Sequence, residues 1–93
     1  EVIMANSSLA SDVDRIFDRI AKSGRPLKGV FHLAMVIDDA PIAALTAARM
    51  ESVLGPKAMG AWLLHKKTQA LDLDHFVMFS SVSSTFGNPA QGN

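Results

Sequence analysis

The stretch Asp74–Asn93, DHFVMFSSVSSTFGNPAQGN, decides how this chain is read. It opens on an apolar run, Phe76-Val77-Met78-Phe79, with the length and composition of a buried parallel strand. The run stops at Ser80-Ser81, and small polar residues and Gly87-Asn88-Pro89 follow. In an open α/β sheet, ligands bind outside the carboxyl ends of the strands. Hydroxyls at such an end are where polar chemistry is expected.

Before this strand lies a long helical pattern, from about Thr46 to Leu71. Thr46 is suited to cap it, and Met50, Val53 and Leu54 form its first apolar stripe. Gly55-Pro56 interrupts it, because proline lacks the amide donor that helix propagation needs. The helix is therefore expected to kink or restart at Lys57. Gly60 and Ala61 allow the second half to approach another element closely.

Further upstream, Gly29–Met35 (GVFHLAM) is a second apolar run of strand length. His32 inside it reads as a hydrogen-bonded core residue rather than a catalyst or ligand. The run ends in Val36-Ile37-Asp38-Asp39-Ala40-Pro41. Its adjacent carboxylates are suited to solvation, to capping the next helix, or to shaping the mouth of a site. Leu9, Val13, Ile16, Phe17 and Ile20 share one face of an earlier amphipathic helix, read as a cover on a sheet. Ser8 or Ser11 is available as its cap, and Gly24 ends it before Pro26. Val2-Ile3-Met4 reads as a first short strand.

Strand, helix, strand, helix, strand and a helix start imply βαβ crossovers and a parallel, Rossmann-like α/β sheet with flanking helices. About three strands are present where doubly wound sheets carry five or more, so the fold is expected to be incomplete. The chain opens on Glu1-Val2-Ile3 rather than on an initiator Met, and is expected to come from something longer. No glycine-rich turn of the kind that cradles a dinucleotide pyrophosphate occurs in the 93 residues.

Composition narrows the function classes. Hydrophobic residues make up 48% and charged residues 19%, as in a globular chain. Nine basic and nine acidic residues cancel, which argues against an electrostatic nucleic-acid surface. No cysteine is present, and the three histidines lack metal-ligand spacing. No run approaches the roughly 18 apolar residues of a membrane span. Without a signal-peptide pattern, the cytoplasm is the default expectation.

Three blocks in order, GVFHLAMVIDD, VLGPKAMGAWLLH and LDLDHFVMFSSVSSTFGNPAQGN, resemble the ketoreductase domain of modular polyketide synthases and animal-type fatty acid synthases. These belong to the short-chain dehydrogenase/reductase superfamily. The resemblance implies NADPH-dependent reduction of a β-ketoacyl group carried on an acyl carrier protein. It implies partnership with the other domains of a synthase, and neither nucleic acid nor membrane. Residues 1–93 correspond to the central part of such a domain, between the upstream cofactor loop and the downstream catalytic tyrosine, which is expected directly after Asn93.

The resemblance assigns catalytic roles to Ser81 and Lys57, with Lys57 also holding the nicotinamide ribose. Leu33, Ala34 and Met35 would lie along the cofactor, Phe79 and Ser80 would border it, and Asn6-Ser7 aligns near an adenine-contacting pair. Ile37-Asp38-Asp39 resembles the Leu-Asp-Asp fingerprint of B-type ketoreductases, and Phe86 replaces the tryptophan of A-type relatives. Asp39, Phe86 and Gln91 are thereby assigned to substrate binding and stereocontrol. Two other readings stand beside this one. A non-catalytic reductase-like subdomain would usually lack Ser81 and Lys57. A free-standing short-chain reductase would carry its lysine four residues after the tyrosine. Alone, the 93 residues are expected to be inactive and to bind NADPH weakly.

Overall fold

Two four-residue strands, Gly29–His32 (β1) and His75–Met78 (β2), run parallel and pair Gly29 with His75 through His32 with Met78. This computed structural model describes residues 1–92. Helix α1, Ala10–Lys22, precedes β1. Between the strands come a 3-10 turn at Ile42–Ala44, helix α2 at Ala47–Leu54, a π-helical turn at Gly55–Met59 and helix α3 at Gly60–Thr68. A single-turn helix α4, Ser83–Phe86, follows β2. The result is a small, open α/β arrangement with a parallel two-stranded sheet and flanking helices.

The expected third strand at Val2–Met4 does not form. Its last carbonyl and the loop that follows are bonded to α1 rather than to a neighbouring strand. Arg15 Nη2 donates to the Met4 carbonyl at 2.6 Å, and the Asn6 N–H donates to Asp12 Oδ2 at 2.7 Å. The expected serine cap on α1 also fails: Leu9 is at the N-cap and makes no side-chain cap bond. Asp12 instead ties the preceding loop to the first turn through Asn6, and Asn6 Oδ1 accepts from the Ser8 N–H at 2.9 Å. The bond from the Asn6 N–H, then Arg15, holds the Asp12 carboxyl below the usual aspartate range. Gly24 ends the helix as expected, at φ +69°.

Helix α1 buries Val13 and packs against α3; Lys67 pairs with Asp14 at 2.5 Å across that contact. Thr46 caps α2 as expected, its hydroxyl accepting from the Arg49 N–H at 3.3 Å. The radius of gyration is 15.4 Å, against about 13 Å for a compact chain of this size. Among the described residues only Val13, Ala40 and Val53 are fully buried apolar side chains. Large apolar groups at the carboxyl ends of both strands, including Leu33, Met35, Met78 and Phe79, are exposed. No helix among the described residues is long and apolar enough to cross a membrane.

Candidate active site at the carboxyl end of the sheet

The interruption expected at Gly55-Pro56 is a π-helical turn rather than a break. Pro56 cannot donate to the carbonyl four residues back, so the ladder shifts register instead of stopping. At the far end of the turn the Gly60 N–H bonds the Gly55 carbonyl, five residues back, and the Lys57 carbonyl. Both helices thus continue through the proline. Lys57 is carried on the widened turn, on the surface.

The turn is tied to β1 by His32, which is 8% exposed. Its Nε2 lies 3.0 Å from the Pro56 carbonyl oxygen and 3.2 Å from that of Lys57. Carbonyls only accept, so this nitrogen carries the proton and donates. The reading of His32 as a hydrogen-bonded interior residue is borne out. Gly60 is needed beside it, since a Cβ there would meet Ser7 Oγ at 2.9 Å and His32 Cε1 at 3.1 Å. The close approach expected at Gly60 is therefore realised.

On the other side of His32 is the end of β2. The His32 carbonyl accepts from the Phe79 N–H at 3.2 Å, continuing the ladder one residue past the strand. Ser80 and Ser81 follow immediately. Ser81 Oγ accepts from the Ser83 N–H at 3.2 Å, and the Ser81 carbonyl accepts from Ser84 Oγ at 2.7 Å. Ser80 Oγ lies 3.5 Å from Ser84 Oγ. One residue, His32, is thus hydrogen-bonded to the backbone of Lys57 and to that of Phe79, two residues before Ser81.

The acidic pair is organised differently from any single expectation. Asp38 receives Arg49 through both Nε and Nη2, with Nε at 3.1 Å from Oδ2. Arg49 Nη2 also donates to the Asp39 carbonyl at 3.3 Å. Asp39 Oδ2 accepts from Gln91 Nε2 at 3.0 Å, and Ala40 forms an isolated parallel bridge with Gln91. Two of the three stereocontrol candidates, 52 residues apart in sequence, therefore meet. The third, Phe86, ends α4 with its side chain 83% exposed. An open depression lies between Ala40–Ile42 and Asn88–Gly92. No role is expected for Arg49 from the sequence; Asp38 lies in the loop before α2 rather than on a helix, so no helical period links the two.

Leu33 and Met35 offer exposed apolar surface where β1 ends, Phe79 does so where β2 ends, and Lys57 supplies a surface cation nearby. Asn6 and Ser7 lie before α1, with Ser7 beside Gly60. A glycine-rich cradle for the phosphates is not among these residues.

Comparisons with known proteins agree with this layout. The family described as "KR domain" matches residues 1–93. The chain is 40% identical over its whole length to the phenolphthiocerol synthesis polyketide synthase type I Pks15/1 of Mycobacterium bovis, of which it spans 4%. It is 52% identical over 67 residues to the polyketide synthase GfsA of Streptomyces halstedii, covering 72% of this chain and 1% of that protein. Among solved structures, an N-terminal ketoreductase from the macrolactin assembly line superimposes with a TM-score of 0.90 at 34% identity, over 96% of this chain and 18% of that one. A ketoreductase from the first module of phoslactomycin biosynthesis in Streptomyces sp. HK803 gives 0.88 at 32%, over 98% of this chain and 21% of that one. With a family match across every residue and ketoreductase folds that superimpose over nearly all of it, this chain belongs to the ketoreductase (KR) domain family of type I polyketide and fatty acid synthases, within the short-chain dehydrogenase/reductase superfamily.

Proposed function

We propose that the chain is the central part of an NADPH-dependent β-ketoacyl reductase, acting on an acyl group carried by an acyl carrier protein within a synthase. The observation that carries this reading is the junction at His32, which brings the backbones of Lys57 and of the Ser81 segment to one strand end. NADPH supplies the hydride when bound. Negative charge then builds on the ketone oxygen, and the Ser81 hydroxyl donates a hydrogen bond to it. The Lys57 ammonium adds positive potential at the same place and lowers the pKa of the proton donor, a tyrosine in the family. Leu33, Ala34 and Met35 lie along the cofactor, Phe79 and Ser80 border it, and Asn6 and Ser7 serve the adenine end.

Asp39 and Gln91, bonded to each other, and Phe86 face the acyl substrate and select the B-type, D-configured alcohol. Support for the stereochemistry is the Ile37-Asp38-Asp39 sequence and Phe86 in place of tryptophan. Fold likeness does not decide it, since a structure of A-type ketoreductases superimposes with a TM-score of 0.83 at 36% identity.

The test is NADPH oxidation by the synthase polypeptide carrying this chain, with a β-ketoacyl thioester. Turnover is expected, with Lys57→Ala and Ser81→Ala each lowering kcat by about 100-fold or more. Unchanged turnover in both variants would sink the site assignment.

A further inference from the structure

We infer that His32 is a positioning residue for Lys57: its Nε2–H clamps the π-helical turn that presents the lysine, an inference that rests on the reductase reading above. Three observations converge on it. First, the turn exists because Pro56 breaks the α-helical register, so the carbonyls of Pro56 and Lys57 no longer keep their ordinary helical pattern of partners. In an α-helix the Pro56 carbonyl would accept from the Gly60 N–H; here that N–H is bonded to Gly55 and Lys57. Second, His32 Nε2 reaches the Pro56 and Lys57 oxygens together, at 3.0 and 3.2 Å. A donor shared between adjacent carbonyls fixes the rotation of the turn about its axis, and with it the direction in which the Lys57 side chain departs. Third, the histidine cannot move away easily. It is 8% exposed, its ring lies against Gly60, and its own carbonyl is held by the Phe79 N–H.

A buried imidazole must give its N–H an acceptor. Here the acceptors are two adjacent carbonyls of the turn that carries Lys57, so the bond that satisfies His32 also sets where the lysine departs. The same side chain bonds Lys57 while its backbone bonds Phe79, so His32 sets the spacing between the two arms of the site.

The experiment uses the whole synthase polypeptide with His32→Gln, His32→Asn and Lys57→Ala. Glutamine places an amide N–H near the position of Nε2; asparagine is one methylene too short to reach the two carbonyls. Wild-type turnover of NADPH with a β-ketoacyl thioester is measured first, and its absence would overturn the reductase reading independently of His32. Given turnover, H32N is expected to lower kcat by about 100-fold, the scale of a roughly 1 Å displacement of a catalytic group. H32Q is expected to stay within about threefold of wild type, with KM for the thioester unchanged in both, since His32 touches no substrate. In the Lys57→Ala background, H32N should have almost no further effect on kcat, because the group it positions is gone. Equal losses in H32Q and H32N, or an undiminished H32N effect without Lys57, would assign His32 a structural role only and overturn the inference. Should H32N yield too little folded protein, H32Q decides alone: a loss above tenfold in soluble, folded H32Q contradicts the clamp.

Discussion

The two arms of the site are built to different standards. On the Lys57 side, a buried histidine, a proline-induced π-turn and a glycine packed so closely that a Cβ would meet His32 at 3.1 Å hold the backbone from several directions. On the Ser81 side, one ladder bond from Phe79 is followed by serine turns that, among the described residues, bond only to near neighbours, amid exposed Phe79, Val82 and Phe86. The contrast teaches that position is enforced here by tertiary contact for the lysine and by strand extension plus local hydrogen bonds for the serine. The first arm should therefore be sensitive to changes in distant packing, and the second only to changes in itself.

The largest effect expected from breaking the first arm is on stability. Gly60→Val places a branched side chain against Ser7 and His32 and should destabilise the protein by about 3 kcal/mol, the upper range of overpacking. Denaturant titration of the whole polypeptide measures it; a loss below about 1 kcal/mol would mean that the junction yields and is not tightly built. Val53→Ala, at a side chain 2% exposed on α2, should cost about 2 kcal/mol. Val82→Ala, on the second arm and 70% exposed, should fall within about 0.5 kcal/mol. Equal effects at these two valines would erase the comparison.

Smaller effects sharpen it. Arg49→Ala removes the guanidinium from Asp38 and from the Asp39 carbonyl. At a pair about one-third exposed this should cost about 1 kcal/mol of stability, and the ratio of alcohol stereoisomers should change more than the rate. An unaltered ratio would detach Arg49 from stereocontrol. The smallest effect is on pH dependence at Asp12, whose carboxyl is lowered by the Asn6 N–H and Arg15. A depressed folded-state value means that this contribution is fully present above the ordinary aspartate range and fades as pH falls through the depressed value. Asp12→Asn should flatten the acid limb of the stability curve slightly and leave the neutral region's slope unchanged.

Which parts of this were legible in the sequence follows from the range of the interactions involved. Thr46, Gly24 and the apolar face centred on Val13 are governed by contacts within a few residues, and the structure bears them out. The proline interruption was legible as a disturbance, but its outcome was not. A kink, a restart and a π-turn share the missing amide, and the choice among them lies with carbonyl partners such as His32, 24 residues away from Pro56. The strand expected at Val2–Met4 failed for a similar reason: composition marks a strand former, whereas pairing needs a neighbour, and here the Met4 carbonyl is bonded to Arg15 of α1. At the candidate site, family resemblance supplied residue types. The meeting of Asp39 with Gln91 and of Arg49 with Asp38 depends on tertiary closure that no local period encodes.

The central claim is that Lys57 and Ser81 serve one ketone oxygen, and a double-mutant cycle on kcat tests it most directly. NADPH oxidation by the whole polypeptide would be compared for wild type, Lys57→Ala, Ser81→Ala and the double variant. Groups acting as a unit are strongly non-additive, so the double variant should be little slower than the slower single one. A double variant whose loss equals the product of the two single losses would mean that the two side chains act independently, and would contradict the account.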